Sequence, residues 1–131
     1  MKLIEIVKGF PRQENVASFK QCIKGLTDEE LLRLTIPLLD EIEGRARICL
    51  IKVLSTALKY ESSFMVILDI GCRKKLVSEI GEWLKFLVPR IKLKEFVKLV
   101  NGYKEHDVEI VSIILYKLQF ILDEEQLKKF E

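Results

Sequence analysis

Apolar residues recur at helical spacing in four separate stretches of this chain. Each stretch has apolar side chains at positions i, i+3, i+6 and i+10, and the stretches repeat every 29 to 33 residues. The four sets are Val16/Phe19/Cys22/Leu26, Ile48/Ile51/Leu54/Leu58, Val77/Ile80/Trp83/Leu87 and Ile110/Ile113/Tyr116/Phe120. At about 100° per residue such positions share one face of a helix, so each stretch is expected to bury one side. The near-constant period predicts about four stacked helical hairpins.

Glycine and proline residues separate the periodic stretches and predict where the helices end. The predicted helices span residues 3–8, 13–24, 28–42, 45–60, 64–70, 73–87, 92–103 and 107–122, and a short turn is expected in the polar tail 123–131. Thr27 followed by Glu30 has the form of a capping box, and the acidic run 28–30 is interpreted as helix capping. Because no strand-like alternation occurs, the sequence predicts an all-α fold in one domain, residues 1–131.

The second hairpin carries a more specific pattern. Pro37 lies inside its first helix, Gly44 marks the turn, and Ala46-Arg47 begins the second helix. This arrangement resembles a HEAT repeat, in which a Pro-kinked helix precedes a turn and a second helix that starts with Val-Arg. The last unit resembles it in part, because residues 107–109 keep the turn aspartate and the valine but replace the arginine with glutamate. The resemblance implies a short α-solenoid, and an irregular helical bundle is the alternative that would produce the same stripes.

Length and composition restrict the class of protein. A chain of 131 residues, 49% apolar and 32% charged, is long enough for one packed domain. With 22 Lys and Arg against 20 Asp and Glu, its formal charge of +2 is far below that of a dedicated nucleic-acid binder. No run approaches the roughly 18 apolar residues of a membrane span, and no signal peptide is visible. We therefore expect a soluble, cytoplasmic protein with no membrane partner, and the start at Met1 without a linker predicts that it acts on its own.

The cysteines point away from metal or disulfide chemistry. Cys22, Cys49 and Cys72 are odd in number, widely separated and never in a CxxC pair. Two of them fall on apolar helix faces, where free cysteine packs as a small hydrophobe. They are interpreted as core thiols in a reducing compartment, and no metal or other cofactor is predicted.

Catalytic patterns are lacking at the sequence level. His106 is the single histidine, and its neighbours Glu105 and Asp107 are consecutive, so the three side chains project in different directions and Asp107 is predicted to cap a helix. Glu79 and Glu82 are three residues apart, a spacing that is routine on solvated helix faces. Because no nucleotide-binding, zinc-binding or nucleophile motif occurs, the chain is predicted not to be an enzyme.

Charged residues near helix starts are the predicted partner-binding surface. Basic clusters would follow one edge of a solenoid, with acidic residues between them. The candidate partner-binding residues are Arg45, Arg47, Arg73, Lys74, Glu79, Glu82, Arg90, Glu105 and His106. Trp83 and Tyr116 are expected in the core, and either of them would be an interface anchor if it reached the surface.

The sequence therefore predicts a non-catalytic protein-interaction module with one cognate protein partner. It would be an adaptor or a stand-alone inhibitor, such as an immunity protein that neutralises a toxin enzyme. The alternative is binding of nucleic-acid backbones through the basic edge of the helical array. The residues of that edge are Arg45, Arg47, Arg73, Lys74, Lys75, Arg90 and Lys92.

Overall fold

The computed structural model describes residues 2–131, and every regular element in that range is helical. The α-helices are α1 Leu3–Lys8, α2 Gln13–Ile23, α3 Asp28–Glu41, α4 Gly44–Ala57, α5 Glu61–Arg73, α6 Ile80–Leu87, α7 Leu93–Tyr103, α8 Val108–Leu118 and α9 Glu124–Leu127. Two short 3-10 helices are η1 Val88–Arg90 and η2 Lys128–Phe130. The all-α prediction is confirmed for these residues. Met1, which the predicted domain includes, lies outside them.

The chain divides into two compact units, and the first is Met1–Ser63. Within it α1 packs against α2, α3 and α4, although it is only six residues long. Phe10 and Phe19 are both buried and meet edge to face, with ring centroids 5.5 Å apart. The short first helix is therefore a central packing element of this unit.

The second unit is Phe64–Glu131, where α8 packs against α6 and α7. Trp83 on α6 is fully buried beside Gly71 of α5. A Cβ atom on Gly71 would lie only 2.5 Å from Cε3 of Trp83, so no other residue fits there without movement. Phe96 of α7 meets Phe130 of η2 edge to face at 5.6 Å, which holds the C-terminal turn against the helix.

The break between α5 and α6 differs from the prediction. The sequence places it at Gly71-Cys72, but α5 continues to Arg73 and α6 begins at Ile80. Gly71 is needed for close packing on Trp83 and does not make a turn. The chain leaves α5 instead at Lys75, whose φ of 53° lies in the left-handed region and cannot continue a right-handed helix.

The predicted caps agree with the structure. Thr27 and Glu30 form the capping box, since the Thr27 hydroxyl accepts from the amide of Glu30 and the Glu30 carboxylate accepts from the amide of Thr27. Asp107 caps α8 by accepting from the amide of Ile110 at 3.1 Å. Each cap satisfies backbone N–H groups that have no partner inside the helix.

Asp28 does more than the capping expected of it. Its side chain is buried, and it accepts hydrogen bonds from the amide of Lys59 at 3.0 Å, the amide of Tyr60 at 3.0 Å and Oγ of Ser63 at 2.6 Å. These donors lie more than thirty positions further along the chain. Asp28 therefore orders the loop that follows α4, a role that local sequence could not indicate.

The predicted apolar stripes in the middle of the chain are confirmed except at Val77, which is 46% exposed and lies before the start of α6. The second stretch buries Ile51, Leu54 and Leu58, and the third buries Trp83 and Leu87. Their helices have hydrophobic faces that match the predicted periodicity.

The fourth stripe is wrong in its second half. Tyr116 and Phe120 are 57% and 74% exposed. Instead, α8 buries Ile110, Ile114 and Leu118, a face rotated from the predicted one. Phe120 also lies beyond the end of α8. The rotation places the aliphatic side chains inward and leaves the aromatic ones in solvent.

No helix within residues 2–131 is both long enough and apolar enough to cross a membrane.

Candidate protein-interaction surfaces

The nine predicted partner-binding residues have different environments. Seven of them are largely exposed. The exposed residues are Arg45, Arg73, Lys74, Glu82, Arg90, Glu105 and His106. Arg47 is half-buried and Glu79 is buried. Exposure alone therefore does not separate a binding surface from an ordinary charged surface, and the local contacts have to decide.

Glu79 requires a correction. Only 5% of it is exposed, and its Oε1 accepts a hydrogen bond from Nε1 of Trp83 at 3.2 Å. A buried indole N–H needs an acceptor, and Glu79 supplies it. The expectation that Glu79 and Glu82 share a solvated face is therefore wrong, because only Glu82 faces solvent.

Arginines 47 and 73 make contacts within the protein. Nη1 of Arg47 donates to the carbonyl oxygen of Leu39 at 2.9 Å, near the end of α3, where carbonyl groups have no partner inside the helix. Nε of Arg73 lies 2.8 Å from Oδ2 of Asp69, one turn earlier in α5. Arg47 therefore connects α3 to α4, whereas the Arg73 pair lies on the helix surface.

The three polar residues of the turn around His106 have different environments. Glu105 and His106 are exposed, and Asp107 is used to cap α8 and to pair with Lys75 at 3.4 Å. Across the described part of the chain, no group of three or more His, Cys, Asp or Glu residues could hold a metal ion.

The cysteines have three different environments. The interpretation of core thiols is wrong for Cys22, which is exposed, and confirmed for Cys72, which is buried. Cys49 is half-buried. Burial raises the pKa of Cys49 and raises the pKa of Cys72 to about 12, so both thiols remain protonated at neutral pH. Because the thiolate is the reactive form, neither is an activated nucleophile.

An open groove of about 520 Å³ lies between α2 and α4 in the first unit. Its residues are Pro11, Val16, Lys20, Arg45, Ile48, Cys49, Lys52, Val53 and Thr56, and together we call them the α2–α4 groove. The aliphatic side chains of Val16, Ile48 and Val53 form an apolar floor. The charged side chains that line it are Lys20, Arg45 and Lys52, all cationic, and no described acidic residue lines it.

Two aromatic side chains project from α8 and the turn after it. The rings of Tyr116 and Phe120 pack edge to face with centroids 5.7 Å apart, and we call this pair the aromatic ridge. Nζ of Lys117 lies 5.8 Å from the centroid of the Tyr116 ring. Phe120 also borders a shallow groove that includes Glu82 and Lys85. The ridge is thus an apolar centre flanked by both signs of charge.

The sequence did not indicate Lys20 and Lys52 as residues of the α2–α4 groove, or Phe120 as part of an exposed aromatic ridge. Arg45 and Lys52 are seven residues apart, and that spacing could have indicated two cations on one face of α4. Lys20 belongs to α2, and no sequence signal could place it opposite α4.

Known proteins offer no guide to this chain. No family model, curated protein or solved structure matches it. The interpretation of its function therefore depends on the aromatic ridge and the α2–α4 groove.

Proposed function

We propose that this chain is a non-catalytic interaction module that binds one cognate protein through the aromatic ridge. The observation that carries the proposal is the exposure of Tyr116 and Phe120, at 57% and 74%. Large aromatic side chains add much apolar area at little conformational cost, and tyrosine is enriched among residues that dominate binding energy. An exposed aromatic pair is therefore suited to a partner's pocket.

The charges beside the ridge support a protein partner. Glu82 and Lys85 on α6 and Lys117 on α8 line the groove next to Phe120. Protein interfaces combine an apolar centre with a polar rim, and mixed charges at the rim select the partner and speed association. This surface has both components.

Catalysis is the weaker hypothesis. An enzyme needs a nucleophile or an acid–base pair in a shared pocket. The Cys72 thiol is buried and its pKa is raised by burial to about 12, while His106 is exposed beside an aspartate that caps a helix. The separation of these groups favours a binding function over a catalytic one.

We infer that the helices form a short HEAT-like array. Pro37 lies inside α3, Gly44 at the start of α4 has a φ of 57°, and Arg47 bonds back to α3. In the second unit, α6 packs on α8, and these are the second helices of consecutive predicted hairpins. Small-angle scattering tests the inference, because a compact bundle of this length has a radius of gyration of about 14 Å and an extended array a larger one.

The module would serve as an adaptor or as an inhibitor of a partner enzyme, for example a toxin. These two versions differ in one measurable respect. An inhibitor abolishes the purified partner's activity at one-to-one stoichiometry, whereas an adaptor leaves that activity in place.

Affinity capture from the native host tests the proposal. We expect one stoichiometric protein partner, and titration with that purified partner is expected to show about tenfold or greater loss of affinity in a Tyr116→Ala/Phe120→Ala variant. Tyr60→Ala is the matched control, because Tyr60 is 66% exposed but lies in the first unit. Recovery of no stoichiometric partner, or equal binding by the ridge variant, would contradict the proposal.

Nucleic-acid binding is the second candidate, and the exposed cations Arg45, Arg73 and Arg90 favour it. Contacts to phosphates release counterions, so binding of duplex or single strands must weaken steeply between low and physiological salt. Absent or salt-insensitive binding would exclude this function.

A further inference from the structure

The α2–α4 groove has a shape that suits an elongated apolar ligand. Two helices form its walls, and Val16, Ile48 and Val53 supply aliphatic atoms along its floor. Val16 and Ile48 are only partly buried even though both are strongly apolar. Grooves between helices are a common seat for the apolar face of a third helix.

The charge of the groove has a single sign. Lys20, Arg45 and Lys52 are exposed along its edges, and no described acidic side chain lines it. The pKa of Cys49, which also lines the groove, is raised because burial outweighs the opposing effect of the nearby Lys52 and Lys20. Both ammonium groups therefore lie close enough to act on the same thiol. Glu43, the N-cap residue of α4, is not among the residues that line the groove.

The spacing of the cations matches that of a helix. Arg45 and Lys52 are seven residues apart on α4, which places them about 10.5 Å apart along its axis and on the same side. Carboxylates seven residues apart on a second helix have the same spacing. Lys20 belongs to the facing helix α2, so it can pair with an acidic side chain on the other flank of a bound helix.

We propose that the α2–α4 groove binds an acidic amphipathic helix of a partner protein, with its apolar face on the aliphatic floor and its carboxylates on the three cations. The inference rests on the proposed protein-binding function. It adds a second surface, separate in sequence from the aromatic ridge, and states the chemistry of the segment that it receives.

Other anionic ligands fit the groove less well. A fatty acid carries one carboxylate and would leave two of the three cations without a counter-charge. Single-stranded nucleic acid uses aromatic side chains for base stacking, and none lines the groove. A helix with several carboxylates satisfies both the apolar floor and the cations.

A synthetic helix tests the proposal directly. The probe is a fluorescein-labelled peptide of about 16 residues with glutamates seven positions apart, leucines one and five positions after each glutamate, and alanine elsewhere, so that the carboxylates lie at the edge of the apolar face. We expect saturable binding by fluorescence anisotropy, with weaker binding as salt rises. A peptide of the same composition in scrambled order, and one with lysine in place of glutamate, are expected not to bind.

Charge reversal on the protein assigns the site. Lys52→Glu and Arg45→Glu are each expected to weaken the probe about tenfold, because attraction at the edge becomes repulsion. Lys128→Glu makes the same change in charge at an exposed residue of η2 and is expected to have no effect. Circular dichroism of each variant checks that the fold is retained.

Three outcomes would overturn the inference: no binding of the acidic peptide, binding unaffected by Lys52→Glu, or tighter competitive binding by oleate or single-stranded DNA. Its failure can be told apart from failure of the proposed function. If the probe fails while the native partner still binds and is lost with the ridge variant, only the groove assignment is wrong.

Discussion

Each unit of this protein contains a cluster of hydrogen-bonded polar groups, around Asp28 in the first unit and around Tyr103 in the second. The pKa of the central group is shifted down in the first cluster and up in the second. In the first unit, burial raises the pKa of Asp28, but the Ser63 hydroxyl and the amides of Tyr60 and Lys59 outweigh burial, so the pKa is lowered. In the second unit, burial and the hydrogen bond to Asp69 raise the pKa of Tyr103.

The difference shows that burial does not by itself decide the charge of a group. Backbone N–H groups that point at a carboxylate stabilise its ionised form. A phenol that donates a hydrogen bond to a neighbouring carboxylate is stabilised in its neutral form. The first cluster therefore loses stability in acid, and the second loses it in alkali.

Removal of the carboxylate in the first unit should have the largest effect. We expect Asp28→Ala to lower the free energy of unfolding by about 3 kcal/mol, because buried N–H and O–H donors lose a charged acceptor. Urea denaturation measures this change. Glu29→Ala, at the exposed neighbouring position, is the control and should change stability little. If the two substitutions changed the free energy of unfolding equally, the buried hydrogen bonds of Asp28 would not stabilise the fold more than an exposed carboxylate does.

Alkaline pH should destabilise the protein mainly through the second unit, which holds the two groups with the largest upward pKa shifts. The pKa of Cys72 is raised from 9.0 to about 12, and the pKa of Tyr103 is raised above 10.0. A group whose pKa is higher in the folded than in the unfolded state stabilises the fold fully at any pH below its unfolded-state pKa. That stabilisation is lost as the pH rises from the unfolded-state pKa through the folded-state pKa. Stability should therefore fall above pH 9, with a slope of up to about 1.4 kcal/mol per pH unit for each proton.

Denaturation midpoints between pH 8 and pH 11 check this expectation. Tyr103→Phe should flatten the profile, whereas Tyr60→Phe, at an exposed tyrosine, should leave it as in the wild type. An identical slope in Tyr103→Phe and the wild type would show that Tyr103 does not supply the pH dependence.

Acid should produce the smallest of these effects, and Asp28 is the buried carboxylate through which it acts. Its lowered pKa means that its contribution is present above the ordinary value of 3.8 and is lost as pH falls through the lower folded-state value. We expect the gap in stability between wild type and Asp28→Asn to narrow below about pH 4. A gap that is constant with pH would show that the carboxylate is not preferentially ionised in the folded state.

Helix positions and caps could be predicted from sequence because they depend on nearby residues. The Thr27 and Asp107 caps bond to amides three positions away, and a glycine or proline marks some of the helix breaks, as Gly25 does between α2 and α3 and Pro89 does after α6. Gly71 shows where this rule fails, because it resembles a helix break but serves packing against Trp83. A sequence cannot tell these two uses of glycine apart, because the second depends on a distant residue.

The candidate surfaces were harder to predict. Arg45 and Glu82 are exposed, as expected, but Glu79 was assigned to solvent although it is buried against Trp83. Tyr116 was expected in the core, and its exposure follows from the rotation of α8 about its own axis. Charge and apolarity of a residue are visible in sequence, whereas its direction is set by the elements that pack around it.

The sequence by itself determined that the chain is helical, where most helices begin, and that the groups on its surface are of mixed charge. Tertiary structure decided which face of each helix is buried and which cations line the α2–α4 groove. It also decided that Asp28 accepts hydrogen bonds from a loop more than thirty residues away. Hydrogen bonds within a helix connect residues three or four positions apart, so local sequence encodes them. Packing between helices connects residues that are distant in sequence, and it appears only when the whole chain has folded.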